Sequence, residues 1–288
     1  MKMKKNKDAI LLINCPDRQG ISATVANFLY KNCGNIIDID QHVDKIEKIY
    51  FLRVRWDLDG FLIPRDKIAS IFENEIATKF NMSWSLFLPK EKLKTAIFVS
   101  KYGHCLYDIL STTLENNWDM EVCLILSNHK DMKSSGKIFG VDYFYTNFDD
   151  LGKEKAEDLQ LKKLKEYKIE FVILARYMQI LSKKIVSEFE NRIINIHHSF
   201  LPAFPGARPY YNAYLRGVKI IGATAHYVST DLDEGPIISQ DVIRVSNSDS
   251  VSDMIRKGKN LEKVVLSDAI WKHINRKIMV YKNRTVIF

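Results

Sequence analysis

A chain of 288 residues, 46% hydrophobic and 27% charged, has globular composition and the length of one large or two ordinary domains, of which two is the better expectation. Its net charge of +8 overstates any basic surface, because Lys2, Lys4, Lys5 and Lys7 crowd a polar leader (residues 1–7) without apolar periodicity, expected to be disordered. The other basic residues are interspersed with acids and carry no zinc-finger or RNP-type signature, which argues against a nucleic-acid partner, and no apolar run approaches the ~20 residues of a bilayer span, which argues against a membrane.

Cys15, Cys33, Cys105 and Cys123 are too scattered for a CxxC pair, a metal knuckle or a disulfide framework, so a reducing cytoplasm and no metal site are expected. The apolar run at residues 9–13 stops at Asn14 with no small-residue cleavage site after it, and reads as a buried strand rather than a secretion signal.

Residues 8–88 read as strand, helix, strand, strand, helix, strand, a split βαβ unit. The first helix opens at Asp17-Arg18-Gln19-Gly20-Ile21, sets Ile21, Val25, Phe28 and Leu29 on one face, and is expected to stop at a left-handed Gly34. A hairpin of residues 35–43 and 48–57 follows, then a helix after Pro64 and a closing strand over residues 82–88. By residue type alone, Asp17 also suits a helix cap and Gly20 a packing position. The proline-led, polar residues 89–94 read as a linker.

A second domain is expected over residues 95–288. Unbroken apolar runs at residues 95–99, 122–126 and 171–174, separated by helical segments, predict parallel strands covered on both faces. The fold class is therefore α/β with a mostly parallel sheet. Residues 192–196 read as a further strand, and residues 220–228 and 236–245 as an antiparallel hairpin. A long helix near residues 250–275 and a pair of short strands finish the chain.

Two residues apart on a strand, Asn195 and His197 share a face at its carboxyl end, where open α/β sheets bind ligands. Pro202, Pro205 and Gly206 should hold the next segment as a fixed loop before Arg208-Pro209 starts a helix. The loop at residues 229–236 offers Asp231, Asp233 and Glu234, one of which could meet His197. An amide and an imidazolium can donate to the oxyanion that forms when a nucleophile adds to a formyl carbonyl, while a carboxylate accepts the nucleophile's proton. Spacing alone leaves a plainer reading open, in which Asn195 and His197 are a strand-end cap and a core polar group.

Two resemblances add to this. The Cys-Pro-Asp-Arg-Gln-Gly-Ile opening on a split βαβ unit resembles the ACT domain, which implies an amino-acid effector near Asp17, Gly20 and Ile21 and a homo-oligomer through paired copies. Asn195-Ile196-His197-His198-Ser199-Phe200-Leu201-Pro202 with the later Leu232-Asp233-Glu234-Gly235-Pro236 resembles the Rossmann-like formyltransferase family acting on 10-formyltetrahydrofolate. That likeness implies Asn195, His197 and Asp233 as catalytic groups, His226, in Gly222-Ala223-Thr224-Ala225-His226, as a support, and Met178, Gln179 and Leu181 facing Val228, Ser229, Thr230 and Asp231 as the folate pocket.

Family members that pass the formyl group to a glycinamide phosphate carry a glycine-rich turn after the first strand, which holds phosphate on backbone N–H groups. Here that turn reads Ser100-Lys101-Tyr102-Gly103-His104-Cys105, and His198 replaces the proline common after the motif histidine. With an ACT-like module in front, the whole resembles the formyltetrahydrofolate deformylases, which implies water as the acceptor, His104 lining the space an amine would vacate, His198 as a further supporting group, and neither metal nor redox cofactor, the folate being the substrate. A transformylase using another amine, and a non-catalytic amino-acid sensor, stand as alternatives.

Overall fold

The computed structural model describes residues 7–115, 118–202 and 209–288. The leader before Lys7, and Pro205, Gly206 and Arg208 of the expected cleft wall, lie outside the described residues. Two compact units emerge, residues 1–91 together with Phe288, and residues 92–287.

The first unit runs β1 (Asp8–Pro16), α1 (Ile21–Lys31), β2 (Asn35–Asp44) and β3 (Ile49–Asp57), then a 3-10 turn leading into α2 (Ile68–Phe72), a π turn, α3 (Thr78–Phe80) and β4 (Ser83–Phe87). The strands form an antiparallel sheet in the order β2-β3-β1-β4. Alternate residues of β1 (Ala9, Leu11, Ile13, Cys15) point under the helices and pack on Ile21, Val25, Phe28 and Phe72. Two details differ from the sequence expectation. Cys33, not Gly34, takes the left-handed conformation after α1 (φ 56°), and Gly34 is there for space, since a Cβ would lie 3.0 Å from the Phe61 ring. Nor does Asp17 cap α1: the N-cap is Gly20, which has open space around it and is required by its φ of 90° rather than by packing.

The second unit begins with β5 (Leu93–Val99), two residues ahead of Thr95, so Leu93 and Lys94 belong to the sheet rather than to a linker. It continues through α4 (His104–Leu114), β6 (Met120–Ser127), α5 (Lys133–Phe139), β7 (Asp142–Tyr145), α6 (Phe148–Leu151), α7 (Lys153–Glu166), β8 (Phe171–Leu174), α8 (Lys183–Glu188) and β9 (Ile193–His197). Then come α9 (Pro209–Arg216), β10 (Ile220–Tyr227), β11 (Ile237–Arg244), α10 (Val251–Ile274) and the hairpin β12 (Ile278–Tyr281) and β13 (Arg284–Ile287). The sheet order is β11-β10-β9-β8-β5-β6-β7, parallel from β9 to β7, with β10 and β11 antiparallel at one side.

Both faces are covered, as the unbroken apolar strands require. Ile97 and Val99 of β5 pack with α4 and α10, through Leu106, Leu261 and Val265, while Ala96 and Phe98 pack with α7 and α8, through Leu164 and Ile185. From β5 the chain winds outward to β6 and β7, then returns to β8 and winds the other way. The crevice at the carboxyl ends of β5 and β8 is therefore the topological switch point, where ligands enter doubly wound sheets. Among the described residues, no helix is long and apolar enough to cross a membrane.

Candidate active site

Asn195 and His197 leave β9 on one face, and the antiparallel neighbour β10 sets His226 directly opposite Asn195. The Asn195 side-chain amide donates to His226 Nε2 at 3.2 Å, while His226 Nδ1 lies 2.9 Å from the Tyr227 carbonyl. A carbonyl can only accept, so Nδ1 carries the hydrogen, and Nε2 is the acceptor for Asn195. One N–H of the Asn195 amide is thereby spoken for, and the other remains for a ligand.

Asp233 arrives from the loop between β10 and β11. Its Oδ2 lies 3.1 Å from His197 Nδ1, and its Oδ1 lies 3.6 Å from His226 Nε2, beyond hydrogen-bond distance. Its hydrogen bond with His197 holds the Asp233 carboxyl well below the usual carboxylate range despite the opposing effect of burial. Asp233 is thus an anion at neutral pH.

Local sequence explains why the loop returns here. Asp233 adopts a left-handed φ of 57°, a conformation that Asp tolerates better than most residues and that collects at functional sites. Gly235 then passes so close to β10 that a Cβ would lie 1.7 Å from the Tyr227 carbonyl oxygen. Tyr227 N donates to the Pro236 carbonyl at 2.9 Å, and β10 carries an irregularity between Ala225 and His226, as strands often do beside a site. The segment after His198 is pinned as well: Thr224 donates to the Ser199 carbonyl, accepts from Leu201 N, and receives Gln240 Nε2 at 3.0 Å.

Asn195, His197, His226 and Asp233 line a cavity of 280 Å³. Its opposite walls come from the two expected folate segments, Met178, Gln179 and Leu181 after β8, and Val228, Ser229, Thr230 and Asp231 after β10. Ser100 at the end of β5 fixes the first wall by accepting Met178 N at 3.0 Å and donating to Asn128 at 2.7 Å. Mixed apolar side chains and backbone groups suit a flat heterocycle.

His104 does not join this group. It lines a second cavity, of 510 Å³, and its Nε2 lies 2.7 Å from Glu262 Oε2. His198 lines both cavities and so marks where they meet. Burial, reinforced by the Arg176 charge, pulls the His198 imidazole down to about 4, so it is neutral at physiological pH. Glu262, buried within α10, was not among the expected residues; it also accepts from Tyr210 at 2.9 Å and has Arg176 Nε 3.6 Å away. Burial alone would raise Glu262, but the His104 bond and the Arg176 charge outweigh it and keep its carboxyl lowered. Its place in the sequence held a signal: Glu262, Val265, Leu266 and Ala269 share the buried stripe of α10, where an acid demands partners.

His104, Cys105 and Glu262 set donor atoms within 4.8 Å of one another. The surroundings do not suit a cation: burial pushes the Cys105 thiol far up, away from the thiolate form, and Arg176 already brings positive charge to Glu262.

Comparison with known proteins agrees over nearly the whole chain. The family described as formyl transferase matches residues 93–270. The formyltetrahydrofolate deformylase of Synechocystis sp. is 48% identical over 99% of this chain and 99% of its own length, and that of Bacillus subtilis is 41% identical over 96% and 93%. The crystal structure of a formyltetrahydrofolate deformylase from Pseudomonas syringae pv. tomato superposes with a TM-score of 0.93 at 39% identity, covering 98% of this chain and 94% of that one.

Proposed function

The chain belongs to the formyltetrahydrofolate deformylase family, and from that premise we propose how its site hydrolyses 10-formyltetrahydrofolate to formate and tetrahydrofolate. The observation that carries the reading is the 3.1 Å contact of His197 with Asp233, in the wall of a cavity that the Asn195 side chain also lines.

The formyl carbon faces Asn195 and His197, and water approaches from the side where the two cavities meet. Asp233 takes a proton as the water oxygen bonds to carbon, and the carbonyl oxygen becomes an oxyanion. The free Asn195 N–H and the outward Nε2 edge of the His197 ring face that oxygen as donors, the arrangement by which acyl-transfer sites gain most of their rate. His197 Nδ1–H stays on Asp233, which fixes the ring. The C–N bond then breaks as the oxyanion re-forms a carbonyl and the folate nitrogen receives the proton, and the remaining O–H of the released formic acid ionises to solvent to give formate. A carboxyl held below its ordinary range is a strong acid once protonated, so Asp233 returns its proton readily to a departing amine.

His226 acts on this chemistry through Asn195, whose amide it orients, and His198 and His104 face the side from which water comes. The folate lies between the turn at Met178, Gln179 and Leu181 and the segment Val228 to Asp231. We read the folate as substrate, with no resident cofactor or metal.

Two further proposals concern the first unit. An amino-acid effector contacts the exposed turn of Asp17 and Gly20; Ile21 is buried (1% exposed) and could offer only its backbone. A homo-oligomer forms through this unit, supported by Ile37 and Ile39, which stand 44% and 43% exposed on edge strand β2 where another strand could pair. Light scattering that finds only monomer at micromolar concentration would contradict it. The four cysteines, all free, fit the cytoplasm that we propose as its compartment.

The test of the chemistry is Asp233→Asn, which keeps the shape and removes the base. Turnover should fall by about 10²- to 10⁴-fold while substrate still binds. A folded variant with near-normal turnover would remove Asp233 from the mechanism.

A further inference from the structure

The larger cavity has a polar group whose partner the mechanism does not supply. Arg176 follows β8 in a left-handed conformation (φ 62°), which sends its side chain into the crevice between the ends of β5 and β8. It is only 8% exposed. Among the described residues its Nε and Nη1 are buried without any hydrogen-bond partner, and Glu262 lies at ion-pair distance, 3.6 Å, without accepting from it. A buried guanidinium with open donors is costly unless an acceptor completes it.

Charge points the same way. Arg176 and Lys259 both stand over the Tyr102 ring, at 5.8 Å and 5.3 Å from its centroid, and both line the cavity. Against these two cations the described residues of the cavity wall set one anion, Glu262, whose two oxygens are engaged by His104 and Tyr210. The wall is short of one negative charge. Neutral His198 joins this space to the catalytic cavity, and Tyr210, Tyr211, Val251 and Ile255 close it with mostly apolar surface, against which an ion interacts strongly.

We propose that Arg176, with Lys259, forms a carboxylate subsite that receives the formate ion once the C–N bond to the folate has broken. This rests on the hydrolytic reading above and adds the exit path. Formate is born beside His197 while tetrahydrofolate still fills the smaller cavity, so the way out lies past His198 into the larger one. Arg176 matches the ion in charge and in donors, and its main chain leads directly into the folate-contacting turn at Met178. Product release and folate binding thus meet at one short segment.

The experiment is proton NMR of sodium formate with the folate-free full-length protein, following relaxation of the formate signal. A ligand of three heavy atoms binds no tighter than about the millimolar range, so the titration runs through tens of millimolar at constant ionic strength. Wild type should enhance the relaxation saturably, acetate should displace formate, and equimolar chloride should not. Arg176→Gln should weaken binding by about tenfold or more, the loss expected when a charged donor is removed from a carboxylate. Lys259→Gln, in the lining of the same cavity, should weaken it by about threefold and provides the test if the first variant does not fold by circular dichroism. No saturable effect with wild type, equal displacement by chloride, or unchanged affinity in the folded variants would each overturn the subsite. Formate release from 10-formyltetrahydrofolate by the same preparation reports the hydrolase reading independently, so the failure of either idea is recognisable by itself.

Discussion

Asn195 serves two neighbours with one amide. Its bond to His226 Nε2 depends on a ring whose hydrogen is held on Nδ1 by the Tyr227 carbonyl, so the orientation of the substrate-facing N–H is set by a chain of three groups. Asn195→Ala should therefore lower turnover by about 10²- to 10³-fold, the usual loss for one oxyanion donor, with a smaller change in KM. Equal losses in kcat and substrate affinity would make Asn195 a binding group instead. At this scale the sequence was readable in part. Two-residue spacing on a strand put Asn195 and His197 together without any other information. Asp233 was one of three acids in its loop, and only the resemblance singled it out. Arg176 and Glu262 were passed over: Arg176 sits just past an apolar strand run, and Glu262 is one charge among many along α10, set apart only by its place on the buried stripe.

The element that delivers the chemistry is the β10–β11 hairpin with its loop. Gly235 lets that loop close onto β10, and Gly235→Ala would drive a methyl group into the Tyr227 carbonyl, 1.7 Å from the Cβ position. We expect Gly235→Ala to displace Asp233, costing at least about tenfold in turnover and about 1–3 kcal/mol in stability by overpacking. Wild-type kinetics in that variant would show that the loop is not held this way. α10 supplies a different case: Ser250 and Asp253 close a capping box at its first turn, and Ser250→Ala should lower stability by about 1 kcal/mol, read as a shifted denaturation midpoint, without altering turnover. The helix, the antiparallel hairpin and the parallel strands β5, β6 and β8 were legible from periodicity and unbroken apolar runs. Strand β7 was not: four residues, Asp142–Tyr145, on a sheet edge with partly exposed side chains, carry neither pattern. The stop of α1 was misplaced by one residue because glycine served close packing on Phe61 while Cys33 absorbed the left-handed turn.

For the whole molecule, buried histidines dictate the response to acid. Burial pulls His198 to about 4, and burial with the Arg276 charge pulls His273 to about 3, both from 6.5. The unfolded chain takes up protons on these rings that the folded chain refuses, so stability is full above about pH 6.5 and falls as pH drops from there, toward 4 for His198 and toward 3 for His273. For His198 the loss between pH 7 and pH 5 is about 2 kcal/mol. Asp233 has the opposite group chemistry with the same sign: its lowered carboxyl stabilises the fold above the unfolded value of 3.8, and that contribution disappears as pH falls below it. Denaturant midpoints at pH 7 and pH 5 should differ accordingly, and a His198→Gln variant should narrow the gap. Equal midpoints would mean that these rings charge within the fold.

The central claim is that water, and not an amine, is the acceptor at the Asn195, His197 and Asp233 site. The measurement that reaches it most directly is formate release from 10-formyltetrahydrofolate by the purified full-length protein with no amine acceptor present. The account predicts many turnovers per site, with formate and tetrahydrofolate formed in equal amounts and the rate lost in Asp233→Asn. Turnover that appears only when an amine is added, with the formyl group recovered on that amine, would contradict it.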